Sequence, residues 1–72
     1  MEKLSIGENI RTIRVNRNLT QAEVSEAINV SQSMLCQIER GTKVPSLPLG
    51  KEIADALGCG VEDLLGLDRQ EQ

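Results

Sequence analysis

Apolar residues recur every three to four positions through most of this chain, and no stretch alternates with the period of two that a half-buried strand needs. Ile6, Ile10 and Ile13, with Leu4 ahead of them, predict a first helix capped by Ser5. Val15 falls opposite that stripe. The stretch from Thr20 to Gly41, T-Q-A-E-V-S-E-A-I-N-V-S-Q-S-M-L-C-Q-I-E-R-G, predicts two short helices joined by a tight turn. Thr20 and Glu23 form a capping box, and Leu19 and Val24 flank it as a hydrophobic staple. Val24 and Ile28 give the buried stripe of the second helix, and Asn29 tolerates the left-handed backbone needed just past its end. Val30 should point into the core. Ser31 caps a third helix at about Gln32–Arg40, with Leu35 and Ile38 inward and Gly41 as the stop. Ser25 is small enough to let these two helices cross closely. Further on, Ser46 and Pro48 open a fourth helix whose core face is Leu49, Ile53, Ala54 and Leu57, ended by Gly58. Gly50 inside it weakens it by about 1 kcal/mol relative to Ala. Gly60 starts a last short helix through Val61, Leu64 and Leu65, with Glu62 and Asp63 in its first turn, and Gly66 ends it. The expectation is an all-α, compact five-helix domain over residues 1–66, followed by a polar tail at 67–72.

Advancing about 100° per residue along the third helix puts Ser33, Gln37 and Arg40 opposite Leu35 and Ile38, with Cys36 beside them and Gln32 at the free end. Any surface helix is polar outside, but amides, a hydroxyl and one cation are also the groups that read base edges. Gln binds adenine through two hydrogen bonds, Ser contacts several bases, and Arg pairs with guanine or phosphate. Two capped helices joined by a short turn are the geometry by which a helix-turn-helix presents its second helix to the major groove.

The order and spacing of further segments sharpen this. I-G-E-N-I-R-T-I-R-V-N-R-N-L-T-Q at residues 6–21 is followed by N-V-S-Q-S, Q-I-E-R-G, P-S-L and I-A-D-A-L-G, together spanning about residues 6–65. The chain thereby resembles the Xre/Cro family of helix-turn-helix transcriptional regulators, which includes small phage repressors. The resemblance implies a phage-repressor-like fold with its helix-turn-helix at about 21–40. It also implies that Gln21 clamps the DNA backbone, and that an Arg at position 14 pairs with the Glu at position 39. That partnership would answer the cost of a carboxylate on the inner side of the third helix. The sequence departs from the family at Ser25 (usually Ala) and at Asn18 and Asn29 (usually Gly). Each substitute is small or tolerates the left-handed backbone.

Composition sets limits on these readings. Seventy-two residues make one modest core. There is no His, which excludes His-based triads and His-metal sites, and two cysteines cannot build a four-thiolate zinc site. No metal, cofactor, small-molecule ligand or catalytic activity is expected. No apolar run approaches membrane-spanning length and the N-terminus lacks a signal-peptide core, so a cytoplasmic protein with reduced Cys36 and Cys59 is expected. Cys59 occupies a position that is usually apolar in the resembling proteins and reads as a small buried hydrophobe. The absence of aromatic residues argues against single-stranded nucleic acid, whose bases stack on such rings.

Charge runs the other way from most nucleic-acid binders, with eight basic and eleven acidic residues and a net charge of −3. The acid is concentrated late. Residues 1–43 hold six basic and five acidic groups, against two and six in residues 44–72. The face around the third helix is therefore free to be neutral or positive. The reading is a regulator, a repressor in its first form, that binds a palindromic site in double-stranded DNA as a homodimer. Gln32, Ser33, Gln37 and Met34 would meet bases, Met34 either touching a thymine methyl or packing half-buried at the helix margin. Gln21, Arg40, Thr42, Lys43, Arg17 and Asn18 would meet phosphates, with Leu64, Leu65 and Leu67 forming a dimer contact. The alternative is an antitoxin-like or adaptor module that uses the same fold to hold a protein partner.

Overall fold

A computed structural model describes residues 5–66, which form five helices and no strand: α1 (Ile6–Asn16), α2 (Gln21–Ala27), α3 (Gln32–Arg40), α4 (Leu47–Leu57) and α5 (Val61–Leu65). Their starts are fixed by side chains that satisfy backbone N–H groups left over in the first turn. Ser5 Oγ accepts from Glu8 N at 3.2 Å while Glu8 Oε1 accepts from Ser5 N at 3.1 Å. Thr20 and Glu23 repeat the exchange at 3.0 and 2.8 Å. Ser31 and Ser46 cap α3 and α4 through Met34 N and Leu49 N, at 3.0 and 3.3 Å. The ends are equally local. Asn18 and Asn29 adopt φ of 60° and 61°, the left-handed turn that most residues avoid. Beyond each, the chain closes back on its helix, Leu19 N to Arg14 O at 3.1 Å and Val30 N to Ser25 O at 3.0 Å.

Ile10, Val24, Ile28, Leu35, Ile38, Ile53, Ala54, Leu57 and Leu64 form one core, with Ile6, Ile13, Leu19, Val30, Met34, Leu49, Cys59 and Val61 packed around it. α1 lies across α3 and α5, α2 rests on α3, and α4 packs against α5. The close α1–α3 approach comes from Gly7. A Cβ there would run into Ile38 O and sit 2.8 Å from Glu39 O. Asn9, buried in the same helix, donates from Nδ2 to Leu64 O at 2.8 Å and ties α1 to α5. Cys59 is half-buried; that burial, reinforced by the Asp63 charge, pushes its thiol above the ordinary value and favours the neutral form.

Two expectations are corrected by this packing. Leu64 is completely buried in the protein's own core, so it offers no surface to a second copy. Its neighbour Leu65 is half exposed, and Leu67 lies outside the described residues. Arg17, though exposed, is tied across the fold by one of its guanidinium nitrogens. Its Nη1 donates to the Leu57 carbonyl, adding a cation to the C-terminal end of α4, where the helix dipole favours one.

Candidate nucleic-acid interface

α3 is anchored by Leu35 and Ile38, and the opposite side carries Gln32 and Ser33 in solvent with Gln37 partly covered. Gln37 Nε2 lies 3.4 Å from Ser33 Oγ, too long to hold the amide firmly. Met34 sits at the margin, half-buried against the core. After Arg40 the chain turns back over the helix end, with Thr42 N and Lys43 N both donating to Gln37 O at 2.9 and 3.2 Å. Those bonds use the backbone donors and leave the Arg40, Thr42 and Lys43 side chains exposed beside α3. Asn18 is exposed as well, at the turn before α2.

Glu39, the only acidic residue of α3, is turned inward, so no α3 carboxylate faces outward to repel phosphate. Its carboxylate meets Arg14 in a two-bond pair, Oε2 with Nε at 2.7 Å and Oε1 with Nη2 at 3.1 Å. The third guanidinium nitrogen, Nη1, donates to Leu19 O at 2.8 Å. Gln21, at the start of α2, does not point wholly outward as expected. Its Nε2 donates to Glu39 Oε1 at 3.0 Å, and the residue is only partly exposed. The family resemblance implies the pairing of positions 14 and 39 but not this third partner. The geometric signal is that Gln21 and Glu39 approach the same point from the first turn of α2 and the last turn of α3.

Among the described residues no group of His, Cys, Asp and Glu is arranged to hold a metal ion, and no helix is long and apolar enough to cross a membrane. The exposed large apolar side chains lie elsewhere. Val44 and Leu47 are 81% and 78% exposed, beside a cleft of about 230 Å³ whose lining includes Ile6, Gly50, Val61 and Leu65.

Comparison with known proteins agrees with this geometry. The helix-turn-helix family model matches residues 10–64. The immunity repressor of Bacillus phage phi105 is 39% identical over 72 residues, covering 96% of this chain, which spans half of the repressor's length. The uncharacterized HTH-type transcriptional regulator YazB of Bacillus subtilis is 34% identical over 64 residues, covering 89% of this chain and 93% of YazB. The P22 c2 repressor, solved with a synthetic operator, superposes with a TM-score of 0.83 at 29% identity, over 92% of this chain and all of that one. The two capped helices, the left-handed Asn29 turn and the outward amides of α3 are therefore those of a family member: the chain belongs to the Xre/Cro-type helix-turn-helix family of transcriptional regulators.

Proposed function

We propose that this chain represses transcription by binding a two-fold symmetric site in double-stranded DNA as a homodimer. The observation that carries the reading is the outer side of α3. It is held from behind by Leu35, Ile38 and the buried Glu39, and it presents Gln32, Ser33 and Gln37 with Arg40, Thr42 and Lys43 at its end. A helix about 10–12 Å across fits the major groove, where adenine offers an acceptor and a donor to a Gln amide. Gln21, Arg40, Thr42 and Lys43 set register through phosphates, and Asn18 approaches the same strand. Arg17 stands outside this set, since its Nη1 is held at the Leu57 carbonyl. Two copies reading half-sites ~34–36 Å apart need a contact outside α3. The apolar surface of Val44, Leu47 and Leu65 supplies it, replacing the Leu64 contact expected from the sequence.

Selection from randomised duplexes, followed by a salt titration on the selected site, tests the reading. With Arg40 and Lys43 neutralising two phosphates per subunit, log K should fall against log salt with a slope of roughly −2 per subunit. Gln37→Ala should relax preference at one base position by about 1–3 kcal/mol. Absence of duplex binding at low salt, together with a co-purifying protein, would replace this reading with the partner-holding one.

A further inference from the structure

The Glu39 carboxylate is 2% exposed and accepts three hydrogen bonds, two from Arg14 and one from Gln21. An ionised carboxylate only accepts, so it admits the NH2 end of the Gln21 amide and turns the carbonyl Oε1 away. The NH2 group carries two hydrogens. One goes to Glu39, which leaves the second for an acceptor outside the protein. A DNA phosphate is such an acceptor and would be repelled by the carbonyl end. We propose that Glu39 is a positioning residue for DNA binding: it dictates which end of the Gln21 amide is offered to the phosphate. This rests on the reading of Gln21 as a phosphate contact.

The ion pair is what makes the device rigid. Arg14 fixes both carboxylate oxygens from α1, and its own Nη1 is tied to Leu19 O. The carboxylate therefore cannot rotate to suit Gln21, and the amide must conform to it. Its rotamer entropy is then lost on folding rather than on binding, which raises affinity without adding a contact. A neutral amide at position 39 would present either end, so Gln21 would no longer be held in one orientation.

Duplex affinity measured at one salt concentration for the parent, Gln21→Ala, Glu39→Gln and the double variant tests this, each well below its melting temperature. Gln21→Ala should weaken binding about tenfold, the scale of a hydrogen bond to a charged group. Glu39→Gln should cost about tenfold in the parent and less than about twofold when Gln21 is already Ala. Equal losses in both backgrounds would overturn the positioning role and leave Glu39 with folding alone. An unchanged affinity in Gln21→Ala would instead overturn the phosphate contact, and the inference with it. Because Glu39→Gln also weakens the pair with Arg14, NMR of the unsubstituted protein gives an independent reading. The two Gln21 side-chain amide protons should be widely split, with one slowed in exchange with water. A pair of protons exchanging like those of an exposed glutamine would overturn the proposal.

Discussion

Gly7 and Gly50 both lie inside helices, and they face opposite kinds of space. At Gly7 the backbone of α1 comes so close to α3 that a methyl group would strike Ile38 O and sit 2.8 Å from Glu39 O. At Gly50, in α4, an added Cβ would meet nothing within 4 Å. The first glycine belongs to the region behind the reading helix, where backbone contact, the Arg14–Glu39 pair and Gln21 all converge on the last turn of α3. The second borders the cleft beside Val44 and Leu47, where apolar surface is left uncovered. Backbone contact is tight behind α3, whereas space stays open beside Gly50 in α4, where a second copy is proposed to dock.

The largest effect should follow from removing a charge at the tight end. Arg14→Met leaves Glu39 buried with only Gln21 as partner, and breaking a buried pair from one side costs about 3–5 kcal/mol. Urea melts would measure it. A variant no less stable than the parent would show that this region does not depend on the pair. Removing both charges by Arg14→Met with Glu39→Met should recover much of the loss, since an uncharged pair has no desolvation to offset.

Gly7→Ala comes next. The methyl group cannot be accommodated by a flexible side chain, because the atoms it meets are backbone oxygens of α3. α1 and α3 must separate, at a cost of about 1–3 kcal/mol, the range for overpacked interiors. The midpoint of thermal unfolding should fall, and the crosspeaks of Gln21 and Arg14 should shift with it. An unchanged midpoint would mean that the approach of the two helices is looser than the glycine implies.

What the sequence revealed and what it hid follow the same division by range. The caps at Ser5, Thr20, Ser31 and Ser46 act over three residues, and the Asn18 and Asn29 turns over five, so helix boundaries were legible from neighbours alone. The outer residues of α3 were legible because helical phase places them once Leu35 and Ile38 are fixed inward. The contacts that depend on distant chain were not. Arg17 meets Leu57 forty residues away, and Asn9 meets Leu64 fifty-five away. The reason for Gly7 lies on another helix, so nothing near it along the chain points to it. α5 has five residues, too few for its period to say which of Leu64 and Leu65 faces in. Nothing in the structure explains an apolar side chain at Val15, which is half exposed.

Gly50→Ala should have the smallest effect and the opposite sign. The position is helical, and glycine there costs about 1 kcal/mol relative to alanine through the freedom it adds to the unfolded chain. The space beside it is empty, so the methyl group adds no clash, and stability should rise by about 0.4–1 kcal/mol. Denaturant midpoints measured at two protein concentrations sharpen the comparison with Gly7. A gain that is the same at both concentrations is the helix-propensity term alone. A gain that shrinks as the protein is concentrated means the methyl group intrudes on a second copy seated over the cleft, so that the open end of the molecule is filled in the dimer. A net loss at both concentrations would show that the space beside Gly50 is closed in solution, and the contrast between the two glycines would not hold.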